Sequence, residues 1–183
     1  ELGSFNKLPV FAVGVLTAAI AVQLLNQFKL SWELFAYGLM CAMCVEQSLI
    51  DITTHRLTRS VTMRAAFIGG PLLSISAIAN NHPGKIGVMA LSFTTTLLTF
   101  MALSLASKRG IGAGDVRLAA VLAMFLGYLG ATYVFQGLAM GFVLGGVVAL
   151  LLLISRKATR NTRIAFGPYL ATGAVVTVIS QSL

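Results

Sequence analysis

Seven apolar stretches follow one another along the chain, at residues 8–25, 34–50, 61–79, 86–106, 116–130, 132–154 and 164–179. A membrane-crossing helix needs about 20 predominantly apolar residues, within a range of about 17–25. Five stretches meet that range. Those at 116–130 and 164–179 fall short and must borrow flanking residues or lie tilted against neighbours. The pattern predicts an all-α, polytopic transmembrane helix bundle of about seven helices, with six possible. The stretches leave no room for a separate soluble domain, so residues 1–183 read as one integral membrane domain. Asn80-Asn81-His82-Pro83-Gly84, between the third and fourth stretches, is rich in helix breakers and predicts a turn. No internal repeat or low-complexity linker is evident.

Composition narrows the class. Hydrophobic residues make up 57% of the chain, charged residues only 10%, and the mean hydropathy is +0.91. Soluble domains carry about 25% charged residues. A free soluble enzyme, a disordered protein and a disulfide scaffold are therefore excluded, and two cysteines make no disulfide framework. No cleavable signal peptide is apparent, and residues 1–4 read as a vector-derived remnant.

The net charge of +8 comes from 13 bases against five acids. Nucleic-acid binding is one source of such an excess, but the positions of the bases favour another. If seven helices alternate, Lys7, Arg56, Arg59, Arg64, Lys108, Arg109, Arg117, Arg156, Lys157, Arg160 and Arg163 fall on one side, and only Lys29 and Lys85 on the other. Basic loops mark the cytoplasmic side. The expected N-terminus is cytoplasmic, the C-terminus external, and Trp32 beside Lys29 an outer interfacial anchor. No nucleic-acid partner is expected; the bilayer is.

The acids are the sharper signal, because an ionisable residue at membrane depth is a functional question by default. The only two aspartates, Asp51 and Asp115, stand 64 positions apart. Asp51 lies where the second helix ends and Asp115 where the fifth begins, so both fall at the cytoplasmic face. Such a pair suits peptide hydrolysis through activated water. One carboxylate takes a proton from water and the other, protonated, donates to the scissile carbonyl. Like charges held close cannot both ionise easily, so one carboxyl stays neutral. Taken singly, each has a plainer use. Asp115 is placed to be an N-cap, and Asp51 to pair with Arg56 or cap a turn. Before Asp115 the chain reads Gly110-Ile111-Gly112-Ala113-Gly114, which lets a substrate backbone approach the carboxyl. A phosphate-binding loop is excluded there, since neither a preceding strand nor a Gly-Lys-Ser/Thr follows the pattern.

Gly112-Ala113-Gly114-Asp115 resembles the Gly-x-Gly-Asp motif of membrane aspartic peptidases. With Val116-Arg117-Leu118 it resembles the prepilin peptidase pattern Gly-x-Gly-Asp-x-Lys-Leu. Asp51-Ile52-Thr53-Thr54-His55-Arg56-Leu57 is similar to that family's first motif, and Phe166-Gly167-Pro168-Tyr169-Leu170 to its C-terminal Pro-Phe-Gly-Pro-Phe/Tyr-Leu motif. The three occur in family order over about two thirds of the chain. The resemblance implies a type IV prepilin (leader) peptidase, an aspartic endopeptidase of the bacterial inner membrane. Its substrates would be prepilins and pseudopilins, cut on the cytoplasmic side after the Gly that ends their basic leader. It implies Asp51 and Asp115 as the catalytic pair, and Gly112, Gly114, Phe166, Gly167 and Pro168 as motif or substrate-approach residues. Thr58 and Arg59 replace the family's usual Pro-Asn, Ala165 a Pro, and Arg117 a Lys. Substrate preference is what these departures affect.

Many bacterial members also carry a zinc domain with two Cys-x-x-Cys pairs, associated with N-methylation. Here Cys41-Ala42-Met43-Cys44 stands alone in an apolar stretch, where a closed zinc site needs four ligands. The cysteines read as packing residues. A peptidase-only member is expected, as in the Tad/CpaA-like branch, with no cofactor and no metal; a trimmed bifunctional enzyme is the other option. Glu46, five residues before Asp51, is placed either to tune the pair or to face the interface. His55 and His82 have no ligand at metal spacing. Gly69-Gly70 and Gly137, Gly141, Gly145 and Gly146 read as sites of close helix packing. Two other functions compete: an archaeal preflagellin-type peptidase, and a small transporter using both carboxylates as a proton relay. Transporters favour internal repeats and midplane sites, which two aspartates at one edge do not match.

Overall fold

The computed structural model describes residues 7–28, 30–54, 57–106, 112–155 and 166–181, and within them the chain forms seven helices and no strand. They are α1 (Lys7–Phe28), α2 (Trp32–Thr54), α3 (Arg59–Ala79), α4 (Gly84–Ala106), α5 (Ala113–Leu129), α6 (Ala131–Ile154) and α7 (Gly167–Ser180). The all-α bundle expected from the apolar stretches is the fold observed. Four helices are long and apolar enough to cross a membrane: α2 as far as Ile52, α3, α4 and α6. The protein is therefore a multi-pass membrane protein. α5 has 17 residues and α7 only 14, the two short elements the pattern anticipates.

The outer surface accounts for the composition. Phe67, Phe135, Leu105 and Ile154 are each more than two-thirds exposed, which suits lipid and not water. The centre of the bundle is α5. Val116, Leu118, Val121, Leu122, Phe125, Leu126 and Tyr128 are all buried, because α5 packs against α4, α3, α6 and α7. α1 docks at the edge, where Phe28 stacks on Tyr37 at 4.7 Å and the Tyr37 hydroxyl donates to the Phe125 carbonyl at 3.1 Å.

The connections explain how the helix ends align. Between α3 and α4 the expected turn is present, with Asn81 in the left-handed region at φ 57°. Between α5 and α6 there is one residue, Gly130, at φ 142° and ψ 159°. That region is open essentially to glycine alone, so the reversal depends on Gly130. As expected, glycines let helices approach: Gly173 sits against the Gly137 carbonyl and the Gly141 backbone, and Gly69 under the Phe125 ring. Gly146 differs and has open space around it. Cys41 and Cys44 are free and buried.

Candidate aspartyl site

The end of α2 and the starts of α5 and α7 meet at one end of the bundle. Asp51 lies on the last turn of α2 and is only 4% exposed. Its Oδ2 accepts the Gly167 backbone N–H at 3.0 Å. Gly167 is the first residue of α7, and its amide is one of the four N-terminal donors that a helix cannot satisfy internally. Asp51 therefore caps α7 from across the bundle, and the helix dipole favours negative charge at that point. The sequence offered Asp51 the cap of a short local turn, and the bond observed goes instead to a distant helix; Arg56, its suggested ion-pair partner, lies outside the described residues.

Each residue of Phe166-Gly167-Pro168 has a local reason. A Cβ on Gly167 would lie 2.8 Å from Asp51 Oδ2 and 2.9 Å from Leu57 Cδ2, so a larger residue would push the helix start off the carboxyl. Pro168 opens α7 where no N–H is needed. The Phe166 ring fills the space over Gly145 and lies 5.0 Å from Phe142, tying the motif to α6.

Asp115 is the third residue of α5, and the N-cap position belongs to Gly112. The N-cap role open to Asp115 from sequence is thus not its role. Its carboxyl is half-buried and lies outside the four membrane-length helices. Its pKa is raised from 3.8 to about 6, by burial first and by the charge of Asp51 second, against a hydrogen bond from the Gly112 backbone that lowers it. Asp51 and Asp115 are therefore close enough to feel each other's charge. Gly112 has a steric reason too, since a Cβ there would come within 3.0 Å of Asp115 Oδ2.

Leu57 links the two sides. It lies one residue ahead of the α3 N-cap, and its Cβ stands 2.8 Å from where a Gly114 Cβ would be, while its Cδ2 approaches Gly167. All seven candidate residues thus fall at this end of the bundle, gathered from three segments far apart in sequence. Gln47 was not singled out by its sequence context. It is fully buried four residues before Asp51, and it binds the backbone of Thr58, one of the positions that departs from the family pattern. A buried amide at that spacing within an apolar helix was the available signal. Glu46, by contrast, points outward and is exposed.

A second polar cluster occupies the opposite end. The Tyr128 hydroxyl and Ser76 Oγ both donate to Glu33 Oε1, the latter at 3.1 Å, and Lys85 lies 4.3 Å over the Tyr128 ring. Glu33, without a role from sequence, is held there. Among the described residues no group of three His, Cys, Asp or Glu side chains is placed to hold a metal ion. His55 and eight of the 13 bases lie outside the described residues.

The chain resembles several known proteins. It is 26% identical over 170 residues to a prepilin leader peptidase/N-methyltransferase of Stutzerimonas stutzeri, covering 92% of this chain and 56% of the relative. A protein of the same description from Xanthomonas campestris is 26% identical, covering 87% of this chain and 54% of the relative. One from Aeromonas hydrophila is 26% identical, covering 91% and 57%. The chain thus spans just over half the length of these curated relatives. No solved structure matches. The profile of the type IV leader peptidase family matches residues 34–154, a stretch that contains Asp51, Asp115 and the Gly-x-Gly-Asp sequence. By that match the chain belongs to the type IV leader peptidase family.

Proposed function

We propose that the protein is a membrane aspartic endopeptidase that removes the basic leader of type IV prepilins or pseudopilins, cutting after a Gly at the cytoplasmic face of the bacterial inner membrane. The observation that carries this is the convergence of three separated segments on one carboxylate pair. Gly167 donates to Asp51, Leu57 packs between Gly114 and Gly167, and the charge of Asp51 raises the pKa of Asp115. The excess of bases expected at the same membrane face supports the orientation.

The chemistry follows from the unequal surroundings. Asp51, holding a backbone N–H at a helix N-terminus, suits the ionised partner. Asp115, with its raised pKa, suits the protonated one. Asp51 takes a proton from water as the oxygen attacks the scissile carbonyl carbon, and Asp115 gives its proton to the carbonyl oxygen. The resulting tetrahedral diol collapses, the C–N bond breaks, and the proton held by Asp51 passes to the departing amine. One of the two hydroxyls returns its proton to Asp115 as the leader's new carboxyl forms. Water is consumed and both aspartates are restored. The titration belongs to the pair. Gly112 makes way for the Asp115 carboxyl and Gly114 for Leu57, so the two glycines shape the pair itself, and the helix that follows a prepilin leader would lie in the bilayer beside the bundle.

The test is co-expression with a tagged prepilin carrying a basic leader and a Gly at the junction, alongside a preflagellin and a prepilin whose junction Gly is replaced by Val. Mass spectrometry of the product's N-terminus reports both the cut position and any added methyl group. Removal of the prepilin leader, with the Val variant uncut, is expected. Preflagellin cleavage alone would move the protein to the archaeal-type activity, and leaders left intact across several prepilins would overturn the peptidase reading.

A further inference from the structure

Gln47 has no exposed surface, and it stands four residues ahead of Asp51 on the same face of α2. Its side-chain amide is engaged at both ends. Nε2 donates to the Thr58 carbonyl at 2.7 Å and to Thr62 Oγ1 at 2.6 Å, and Oε1 accepts the Thr58 N–H at 3.0 Å. Both polar backbone groups of one residue are thus held by one side chain. A carboxylate lacks the donors for this and a hydrocarbon lacks everything. Thr58 is the N-cap of α3, at φ −79° and ψ 117°, and its own side chain makes no capping bond. Leu57, the next residue back, is the one that reaches both Gly114 and Gly167. A buried amide with its bonds made rigidifies what it touches.

We propose that Gln47 is a positioning residue for the aspartate pair: by clamping Thr58 it fixes the entry to α3, and so holds the adjacent Leu57 as a spacer between the α5 start that carries Asp115 and the α7 start that donates to Asp51. This rests on the assignment of Asp51 and Asp115 as the reacting groups. Gln47 touches neither substrate nor the reacting carboxyls, so its effect runs through the geometry of the pair. A purely architectural residue would alter stability and leave the chemistry of the folded enzyme unchanged.

The full chain in lipid nanodiscs, with a prepilin substrate, separates the two. In Gln47→Leu, kcat is expected to fall about 10- to 100-fold, the usual effect of misplacing groups by about 1 Å, with KM changed less than about threefold. The φ of Thr58 lies within proline's range of about −65 ± 15°. Adding Thr58→Pro to Gln47→Leu therefore restores by covalent constraint what the clamp supplied, and is expected to recover at least about fivefold of the lost kcat. A Gln47→Leu enzyme with parental kcat, or a double variant that gains nothing over the single, overturns the proposal. If Gln47→Leu does not accumulate, Leu57→Ala shortens the spacer and leaves the clamp intact; the same kcat loss is expected, and unchanged kcat overturns it. Titration of the Asp115 carboxyl by carbon-13 NMR reads the spacing without substrate. Its midpoint is expected to move in Leu57→Ala, and an unmoved midpoint overturns the spacer role. Parent protein that cleaves no prepilin would sink the peptidase assignment, while this titration still judges the spacer.

Discussion

At the scale of single residues, the candidate site is built as much from absent side chains as from present ones. Gly167 must lack a Cβ because Asp51 and Leu57 already occupy its place at 2.8 and 2.9 Å. Gly167→Ala is expected to lower kcat at least about tenfold, a loss of pair geometry read in a leader-cleavage assay. Asp115 sets the pH behaviour. Its folded pKa of about 6 lies above 3.8, so between those values the folded state holds a proton that the unfolded chain has released. Its contribution to stability is full below pH 3.8 and is lost as pH rises through about 6. In the proposed role of proton donor, Asp115 is expected to give kcat/KM an alkaline limb near pH 6, and a seated substrate that excludes water is expected to move the limb in kcat upward. A pH–rate profile with no alkaline limb in either parameter would contradict that role. The glycines and aspartates were legible in the sequence because their motifs are local. Gln47 and Leu57 were not, because they matter through contacts with Thr58, Gly114 and Gly167 that only the folded chain creates.

At the scale of elements, the pairing of α6 with α7 is what holds Phe166, and so the start of α7, in place. A Cβ on Gly173 would lie 2.4 Å from the Gly137 carbonyl and 2.5 Å from the Gly141 nitrogen, both backbone atoms that cannot step aside. Gly173→Ala is expected to cost about 1–3 kcal/mol, the usual range for overpacking, and to lower the thermal midpoint of the purified protein. Gly146→Ala, which meets no atom within 4 Å, is expected to leave the midpoint unchanged or to raise it slightly. Equal effects of the two would contradict this packing. Long apolar runs made the helices legible, but not their packing order. Nothing in the 3.6-residue pattern says that α5, one of the two shortest, becomes the centre. Its burial on all sides is a property of its neighbours.

At the scale of the whole molecule, chain direction and site location are one question, because the ends of α2, α4 and α6 and the starts of α3, α5 and α7 share the end that holds both aspartates. With Cys41 and Cys44 replaced, a cysteine at Asn81 is expected to react with an impermeant maleimide added to intact cells, and one at Arg59 only after lysis. The reverse pattern would place the site on the outer face. The excess of bases, read along the sequence, is the reason for the orientation expected. The central claim is that two carboxylates act as a pair, and conservative substitution tests it most directly. Asp51→Asn keeps an oxygen to accept the Gly167 N–H, so the cap on α7 survives while the charge is lost. Leader-cleavage rates of the purified protein, Asp51→Asn and Asp115→Asn, each verified as folded, are the measurement. A fall of at least about a thousandfold in both variants is expected when one member of a cooperating catalytic set is removed; cleavage surviving in either folded variant would contradict the pair.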